Sequence, residues 1–583
     1  MGSFLLRRFA VLCVFAILLI LAFYQLTARD GYPLPTETSS SYIQRPVKWK
    51  NLPMRYPVSS VISLPTGTPL PIPRIQHEFG LETDHNKAQR EQRQAAVKKT
   101  FLHSWSGYRD RAWLQDEVTP VTGRYKNGLG QRGATLVDTL DTLLIMGLDK
   151  EFKMALKAVR KIDFSTTAAV NVNLFETTIR YLGGLLGAYD LSGEKHRVLL
   201  DKAVQLGDML YGAFDTPNRL PITHWDWENG ALEGAQETPS QALTAELGSL
   251  SLEFTRLSQL TGDMKYFDAV QRITDQFEKH RNQTFIPGLF PVRVNPLQET
   301  FSDRTFTFGG MSDSLYEYFP KQHLLLGGRG DQYRKLYERA IDAAKQYLFF
   351  RPLNPQNQDI LVSGSTERTD LEPEGQHLAC FTGGMVGLSA KIFNRTAELG
   401  IARKLVEGCI WAYDSMPTGI MPEAFRLAPC PDPEDCTWSE ARWHLAVTKA
   451  HYPRKDAAAI IAEHGLQPGF TRIGDRRFLL RPEAIESVFI LYRITGDAGL
   501  QDAAWRMFVA IRAATDAEFA NSAIADVTCP QGQETEKLDE CESFWMAETL
   551  KYFYLIFSEP GLVSLDDYVF NTEAHPLRRP RAK

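Results

Sequence analysis

Apolar side chains recur every three to four residues along most of the chain from about residue 94 onward, which predicts a protein built of helices. The predicted helices form pairs joined by short turns. In several turns a glycine that can end one helix precedes an acid that can begin the next, as in Thr495-Gly496-Asp497. Complete pairs are predicted at 135–146 with 150–162, 172–189 with 195–215, 243–261 with 264–280, 312–326 with 330–349, 380–393 with 396–414, and 482–495 with 499–514.

Two further predicted helices, 94–107 and 543–557, have no partner next to them in the sequence, so pairing them with each other completes a seventh hairpin. Paired helices form either an open solenoid or a closed ring. Solenoid repeats are about 30–47 residues long, whereas the first helices of these pairs mostly begin about 70 residues apart, with long loops between them. The sequence therefore predicts an all-α fold, an (α/α)7 barrel whose inner ring is the first helix of each pair.

The N-terminal part of the chain has a different pattern. An almost wholly apolar stretch follows Arg7 and Arg8, and no small-residue cleavage site comes after it. We therefore expect an uncleaved signal anchor that crosses a membrane, with a cleavable signal peptide as the alternative. The predicted organisation is a cytosolic tail at 1–8, a transmembrane helix at 9–25, a disordered proline-rich lumenal stem at 26–93, the catalytic barrel at 94–576 and a basic tail at 577–583.

Charge and cysteine content narrow the class of protein. The net charge of -5 and the pI of about 6.2 give no reason to expect a nucleic-acid partner. Of the 7 cysteines, one lies in the predicted anchor and the others lie in the predicted lumenal part, where the compartment is oxidising and disulfides form. Sequence proximity suggests two local bridges, Cys430–Cys436 and Cys529–Cys541, which leaves Cys380 and Cys409 for a third.

Acidic residues fall where the predicted inner helices begin: Glu176, Asp313, the pair Glu483 and Glu486, and Glu548. Parallel inner helices bring these acids to one rim of the barrel, where the loop acid Glu423 is placed to join them. Buried carboxylates are costly unless they are paired, protonated or bound to a cation, so their convergence favours acid–base chemistry, a hard metal ion, or both. For any one acid alone, helix capping is an equally good interpretation.

The chain resembles the class I α-1,2-mannosidases, glycoside hydrolase family 47, over about residues 94–576. The resemblance rests on several stretches in order: VDTLDTL from Val137, NLFETTIRYLGGLL from Asn173, DSLYEY from Asp313, HLACF from His377, LRPEAIES from Leu480, AETLKY from Ala547 and VFNTEAHP from Val569. It implies an inverting, Ca²⁺-dependent enzyme that trims α-1,2-linked mannose from high-mannose N-glycans. It also implies that Cys380 and Cys409 form the disulfide of the processing enzymes.

The resemblance also implies roles for individual residues. Glu176 would be the proton donor, acting through a water, with Asp313 as the competing candidate. Glu483 would be the base that activates the attacking water, and Glu423 a further member of the catalytic set. The metal residues would be Thr572, which binds Ca²⁺ directly, and Glu573, which holds the ion's water together with Glu486 and Glu548. The remaining substrate-binding residues would be Arg180, His377, Arg481 and Phe544.

Met311 stands where family members of restricted specificity in the endoplasmic reticulum typically carry an arginine. An arginine can clamp one glycan branch through several donors, and a methionine cannot. We therefore expect trimming of several α-1,2-linked mannoses, as in Golgi-type members. The expected protein is a monomeric, single-pass type II protein of the Golgi or endoplasmic reticulum membrane, with its catalytic domain in the lumen. The sequence predicts no role for the insertion at 424–482.

Two other functions fit parts of this pattern. One is a mannose-binding, lectin-like factor of glycoprotein degradation that uses the same pocket, and the other is a scaffold of helical repeats. The complete set of acids and the expected Cys380–Cys409 disulfide argue against the lectin, and the convergence of acids argues against the scaffold.

Overall fold

A computed structural model describes residues 46–580, apart from 233, 433 and 531. The predicted cytosolic tail, the predicted transmembrane helix, the first part of the predicted stem and residues 581–583 lie outside the described residues. Within the described range, no helix has the length and apolar character needed to cross a membrane. Residues from Val47 onward belong to one structural unit.

Seven helical segments form an inner ring, and four of them are interrupted. The interrupted ones are α2 (Ala134–Asp138) with α3 (Leu140–Ile145); α5 (Leu174–Glu176), a π-helical turn (Thr177–Leu182) and α6 (Gly183–Leu191); α9 (Thr244–Gly248) with α10 (Ser251–Thr261); and a second π-helical turn (Trp545–Thr549) with α20 (Leu550–Ile556). The continuous ones are α12 (Asp313–Leu325), α14 (Phe381–Ile392) and α18 (Glu483–Thr495).

Each inner segment packs against an outer helix. The outer helices are α1 (Asp84–Arg111), α4 (Asp149–Val159), α7 (Arg197–Tyr211), α11 (Lys265–His280), α13 (Asp331–Tyr347), α15 (Glu398–Ser415) and α19 (Ala498–Thr515). Successive inner segments are neighbours, and α20 with its π-helical turn returns to contact α2 and α3, so the ring closes. Helix α1 packs on α20, which makes the seventh pair. The predicted (α/α)7 barrel and its pairing of the chain ends are therefore confirmed for the described residues.

The inner and outer helices differ in how much of their surface is buried. Every residue of α18 from Ala484 to Ile494 is buried, as expected for a helix that is surrounded by neighbours. Helix α11 instead buries one face, including Phe267, Val270 and Phe277, and exposes the other. The outer helices are amphipathic, whereas the inner ones are buried on all sides and hold polar side chains such as Glu317 and Lys321 in contact with each other.

The loops contain short strands, which the all-α prediction did not include. They are β1 (Glu117–Val118), β2 (Tyr125–Lys126), β3 (Asn171–Asn173), β4 (His224–Asp226), β5 (Ala242–Leu243), β6 (Arg293–Val294), β7 (Thr305–Thr307), β8 (Phe349–Phe350), β9 (Val362–Ser363), β10 (Ser365–Glu367), β11 (Asp370–Glu372), β12 (Glu374–Gln376), β13 (Ala424–Leu427), β14 (Phe470–Asp475), β15 (Tyr568–Phe570) and β16 (Pro576–Arg578). They pair antiparallel in sheets of two or three strands. A short helix, α8 (Trp227–Ala231), lies in one of these loops.

Residues 47–83, which we call the N-terminal strap, lie against the barrel, although the sequence predicted a disordered stem up to residue 93. The indole of Trp49 is buried and donates to the carbonyl of Ser165 at 2.7 Å, and Ile75 is fully buried. Extended proline-rich backbone has no internal hydrogen bonds, but its N–H groups here find acceptors on the barrel. The prediction of a disordered stem is therefore wrong over residues 47–93, and the last ten of these residues, 84–93, belong to helix α1, which begins at Asp84.

Three carboxylates of the barrel hold the strap. Asp215 accepts hydrogen bonds from the backbone N–H groups of Arg55 and Tyr56, both at 2.8 Å. Further along, Asp268 accepts from Ile62 at 2.8 Å and Asp566 accepts from Ile75 at 2.8 Å. The predicted start of the basic tail at residue 577 is also wrong, because residues 577 and 578 belong to strand β16.

Part of the insertion between Glu423 and Glu483 packs around a small hydrophobic cluster that also includes Leu353 from outside it. It contains α16 (Glu440–Ala450) and α17 (Ala457–His464), which bury Trp443, Val447 and Ile460 together. The predicted Cys430–Cys436 disulfide is present and closes a short loop near the start of this insertion.

The predicted Cys380–Cys409 disulfide is present, with Cα atoms 6.1 Å apart. The predicted Cys529–Cys541 disulfide is not, since both residues are free thiols. The reason is the register of the surrounding loop, in which Ile524 pairs antiparallel with Lys537. This register carries Cys541 past the segment that contains Cys529, so closeness in sequence does not become closeness in space.

Candidate active site

A cavity of about 260 Å³ opens at the end of the barrel where the inner helices begin. Most of the predicted catalytic, substrate-binding and metal-binding residues line it: Glu176, Arg180, Met311, Asp313, Arg481, Glu483, Glu486, Phe544, Glu548, Thr572 and Glu573. The exceptions are His377 and Glu423, which lie behind the wall of the cavity and contact residues that line it. The predicted convergence of acids from several inner helices is therefore observed.

Glu483, the first residue of α18, is held by a histidine. Nδ1 of His377 lies 2.8 Å from Oε2 of Glu483, and Nε2 of the same ring lies 2.7 Å from the hydroxyl of Tyr413. Burial alone raises the pKa of Glu483, but the hydrogen bond and charge of His377 and the charge of Arg481 outweigh it, so the pKa lies below its ordinary value. This carboxyl group is therefore kept ionised.

Glu423 acts on the cavity through Arg481. Its side chain accepts a hydrogen bond from the backbone N–H of Leu479 at 2.9 Å and forms an ion pair with the Nε of Arg481. Nη1 of Arg481 in turn lies 3.9 Å from Oε1 of Glu483. The contact of Glu423 with Arg481 gives this acid a way to position a residue that lines the cavity, and its membership of the catalytic set stays a prediction.

Asp313 is the first residue of α12 and faces the cavity. The backbone N–H of Ser314 donates to Oδ1 of Asp313 at 2.8 Å. Burial raises the pKa of Asp313 to about 7, and the nearby acids Glu317 and Glu483 act in the same direction. Asp313 and Glu483 therefore differ in protonation near neutral pH although they line the same cavity.

Glu176 and Arg180 lie on α5 and the π-helical turn that follows it. Nε of Arg180 donates to Oε2 of Glu176 at 2.7 Å, and its Nη1 donates to Oε1 of Glu573 at 2.9 Å. The guanidinium also lies 5.3 Å from the centroid of the Phe544 ring, within the range of a cation–π contact. Arg180 therefore contacts Glu176, the ring of Phe544 and the hairpin that carries Thr572. π-Helical turns often mark functional sites.

Three buried acids meet on the far wall of the cavity. Burial raises the pKa of Glu486 to about 8 and raises that of Glu548 well above its usual range, where repulsion by Glu573, Glu483 and Glu486 adds to the effect. The pKa of Glu573 is also raised well above its usual range, by burial first. Such a cluster of oxygen ligands favours a hard cation.

A lysine that the sequence analysis missed lies beside this cluster. Nζ of Lys321 donates to Glu317 and lies 3.5 Å from Oε1 of Glu486. Lys321 is one turn along α12 from Glu317. The family motif DSLYEY ends before it, so the resemblance did not indicate this residue. In the part of the chain that the structure describes, no group of three or more His, Cys, Asp or Glu side chains is arranged to hold a metal ion by itself.

Thr572 lies at the tip of the β15–β16 hairpin, which reaches into the barrel. The backbone N–H of Thr572 donates to the hydroxyl of Tyr318 at 3.3 Å. Asn571 shapes the turn, because its Nδ2 donates to Glu253 at 2.7 Å and its Oδ1 accepts the backbone N–H of His575 at 2.7 Å. Tyr318 and Glu253 were not predicted as site residues, since nothing in their sequence neighbourhoods indicates contact with a hairpin so distant in the chain.

A buried polar network supports the cavity from below. His575 lies 3.0 Å from Asp138 and 2.7 Å from Asp141, and Nζ of Lys551 lies 2.9 Å from Asp141. Ser543 donates to Asp138 and accepts from Nη1 of Arg180 at 2.9 Å. The network therefore connects the hairpin with the cavity wall. Its acids lie in the VDTLDTL stretch, which the sequence analysis used only for family resemblance.

Met311 lies at the rim of the cavity, where 52% of its surface is exposed. Its φ of 80° is in the left-handed region, which is unusual for a residue that is not glycine. Its backbone carbonyl accepts from the N–H of Ala245 at 3.0 Å, so this conformation is held from the neighbouring inner segment. The side chain offers no hydrogen-bond donor to a ligand.

Comparison with known proteins gives consistent matches. The model of the family described as "Glycosyl hydrolase family 47" matches residues 100–579. An endoplasmic reticulum mannosyl-oligosaccharide 1,2-alpha-mannosidase from Homo sapiens is 37% identical over 520 residues, which cover 88% of this chain and 67% of the relative. A mannosyl-oligosaccharide alpha-1,2-mannosidase 1B from Aspergillus phoenicis is 33% identical over 504 residues, covering 83% and 91%. The solved alpha-1,2-mannosidase from Trichoderma reesei is 32% identical with a TM-score of 0.75, covering 84% of this chain and 99% of that one.

Proposed function

Because the chain belongs to glycosyl hydrolase family 47 and is an α-1,2-mannosidase, we propose that it trims α-1,2-linked mannose from high-mannose N-glycans by Ca²⁺-dependent hydrolysis with inversion. The observation that carries this proposal is the contrast between two acids in one cavity. Glu483 has a lowered pKa and Asp313 has a pKa raised to about 7. A base and an acid with separated pKa values are what glycoside hydrolysis requires.

Glu483 is the proposed general base. It takes a proton from the attacking water, and His377 and Arg481 orient it and stabilise its ionised form. Tyr413 holds the other ring nitrogen of His377, so the imidazole cannot turn away from the carboxylate.

Asp313 is the proposed proton donor. It gives its proton to the leaving oxygen as the glycosidic bond breaks, which requires the carboxyl group to be protonated at working pH. This reverses the order that the family resemblance implies, in which Glu176 is the donor and Asp313 the competitor. The ion pair of Glu176 with Arg180 at 2.7 Å favours a positioning contribution for Glu176, which becomes the competing candidate.

The residues around Thr572 fit a calcium ion. Thr572 and the acids Glu486, Glu548 and Glu573 offer oxygen atoms, and a nearby cation would lower the raised pKa values of these three acids. Thr572 would hold the ion directly, and the acids would hold its water. When bound, Ca²⁺ would supply a positive charge that coordinates sugar hydroxyls and favours the distorted ring.

The proposed substrate range is broad and the proposed compartment is the secretory pathway. Met311 gives the rim no charged donor with which to clamp one glycan branch, which supports removal of several mannoses. The similarity to an enzyme named for the endoplasmic reticulum supports the endoplasmic reticulum or Golgi. The N-terminal anchor and a monomeric state belong to the same proposal.

The test is a trimming assay on the full chain with a nine-mannose glycan, followed by mass spectrometry and proton NMR. Stepwise loss to five mannoses that chelation abolishes, with β-mannose appearing first, is the expected result. A stop after one mannose would contradict the broad range, and first appearance of α-mannose would contradict inversion. Retained glycan binding without any turnover would instead favour the lectin-like factor, and Glu483→Gln would then change nothing.

A further inference from the structure

The chain contains two stretches of the type Asn-x-Thr, Asn282-Gln283-Thr284 and Asn394-Arg395-Thr396. In the secretory pathway this pattern is the acceptor sequence, or sequon, for N-linked glycosylation, provided that x is not proline. A modified asparagine has to lie at the surface of the folded protein, because the attached glycan is bulky and hydrophilic. The surroundings of the two asparagines therefore decide whether the fold can accommodate a glycan at each.

Exposure and hydrogen bonding distinguish the sequon asparagines from the buried ones. Asn282 and Asn394 are exposed, and neither side-chain amide has a hydrogen-bond partner among the described residues. Asn354, Asn521 and Asn571 are 0% exposed, and the Nδ2 atom of each donates a hydrogen bond. None of these three is followed two residues later by Ser or Thr. The atom that would carry a glycan is thus free in both sequons and engaged in these buried asparagines.

Asn394 ends helix α14 without using its side chain. Its φ of 56° is in the left-handed region, which asparagine tolerates at the end of a helix. The backbone N–H of Arg395 donates to the carbonyl of Ala390 at 2.9 Å, so backbone groups alone close the last turn. The side chain of Thr396 is exposed as well. A glycan on Asn394 therefore displaces no side-chain hydrogen bond of the folded chain.

Asn282 lies in the turn after helix α11, two residues beyond His280. Thr284 is only 5% exposed, and its hydroxyl donates to the carbonyl of Ile286 at 2.8 Å. Because a sequon is defined by its threonine as well as its asparagine, this site is open to modification only before the loop folds. The neighbouring Phe285 is 45% exposed, and a hydrophilic glycan on Asn282 would shield this apolar side chain.

We infer that Asn282 and Asn394 each carry an N-linked glycan, an inference that rests on the proposed location in the endoplasmic reticulum or Golgi. In the transfer, Nδ2 of the asparagine forms a bond to the first carbon of an oligosaccharide and loses one proton. The bond from that carbon to the diphosphate of a lipid donor breaks, and the diphosphate leaves with the electron pair. The lipid donor and the transferring enzyme belong to the compartment, and this chain is the acceptor.

The experiment is expression of the full chain in a eukaryotic host, release of the glycans by a peptide N-glycosidase in water labelled with heavy oxygen, and mass spectrometry of the peptides. The release converts a glycosylated asparagine into a labelled aspartate. We expect label at positions 282 and 394 and at no other asparagine. Absence of label at both positions would overturn the inference, and label at one position alone would overturn it for the other.

Matched variants test each sequon. Thr396→Ala should abolish the label at position 394, whereas Thr396→Ser keeps the sequon and should keep the label. Asn282→Gln should remove one glycan, whereas Gln283→Ala keeps that sequon and should retain both glycans. A label at position 394 that persists in Thr396→Ala would contradict modification through the sequon.

Two further variants separate this inference from the proposed function. The glycosidase releases glycans whatever their number of mannoses, so Glu483→Gln should carry the same two labels even though it cannot trim. Ala88→Thr gives the exposed Asn86 a sequon in the first turns of α1 and reports entry into the compartment. Label at position 86 alone would overturn the inference and leave the proposed location standing. Absence of label at all three positions would overturn both.

Discussion

The hydroxyl of Tyr413 lies 2.7 Å from Nε2 of His377, and Nδ1 of the same ring lies 2.8 Å from Glu483. Tyr413 belongs to the outer helix α15, whereas Glu483 begins the inner helix α18. The orientation of the proposed base therefore depends on a contact between the two rings of the barrel.

Replacing Tyr413 by phenylalanine should lower kcat/KM by about fivefold, because one hydrogen bond of about 1 kcal/mol no longer fixes the imidazole. KM should change little, since Tyr413 does not line the cavity. Steady-state kinetics on a high-mannose glycan measure both values. Tyr452→Phe is the control, because that residue is 82% exposed on the insertion. Equal losses in both variants would contradict the positioning contact.

The activity should fall as the pH rises through about 7, because Asp313 then loses the proton that it must donate. The base should stay ionised to below pH 4.5, since the pKa of Glu483 lies under that value. A profile of kcat/KM from pH 4 to 9 measures both limbs. The Asp313→Asn variant should retain little activity and lose the limb near pH 7. An unchanged limb in this variant would assign it to another group.

The stability of the Glu253→Gln variant relative to the wild type should increase with pH. Burial raises the pKa of Glu253 from 4.5 to about 7, against the hydrogen bonds of Asn571 and Tyr318. The folded wild type therefore binds more protons than the unfolded chain in this window and loses stability as pH rises through it, by up to about 3 kcal/mol. Urea unfolding at pH 5, 6, 7 and 8 measures the difference. Glu407→Gln, on the exposed face of α15, serves as the control.

Asp215→Ala should destabilise the fold by about 2–3 kcal/mol, because the backbone N–H groups of Arg55 and Tyr56 lose a charged acceptor. The exposed Asp201, whose only ion-pair partner among the described residues is Arg197 in the same helix, provides the contrast, and Asp201→Ala should cost less than about 0.5 kcal/mol. Urea denaturation measures both values. If the two variants were equally stable, the strap would contribute nothing to the folded state.

The sequence predicted the barrel because each helix pair carries its own periodicity and its own turn. Most bounds agree to within a few residues; the predicted 482–495 helix, for example, is Glu483–Thr495 in the structure. The predicted 94–107 helix is the exception, because it begins at Asp84. It failed for the strap, since proline-rich backbone has no periodic pattern and is ordered here only by acceptors such as Asp215. It also failed for Cys529 and Cys541, because the register of the surrounding loop depends on pairs such as Ile524 with Lys537.

The sequence predicted many of the residues that line the cavity, because acidic residues mark the starts of the inner helices. The residues that support the cavity were not predicted, since they lie outside the recognised motifs or reach the site from other elements. Lys321 lies one turn beyond a recognised motif, and Tyr413 lies on an outer helix. Glu253 contacts the hairpin through Asn571, more than half the chain away. Only the packed structure shows such contacts.

The pairing of α1 with α20 has a consequence for biosynthesis. These helices come from opposite ends of the folded unit, so the ring cannot close until the C-terminal segment has left the ribosome. The strap also cannot complete its contacts earlier, because the backbone N–H of Ile75 donates to Asp566. Thr572 follows the last inner helix in the chain, so it emerges after that helix. A nascent chain that lacks this segment therefore exposes an open arc of six helix pairs, and the protein gains its closed ring and its catalytic cavity together, once α20 and the hairpin after it have been translated.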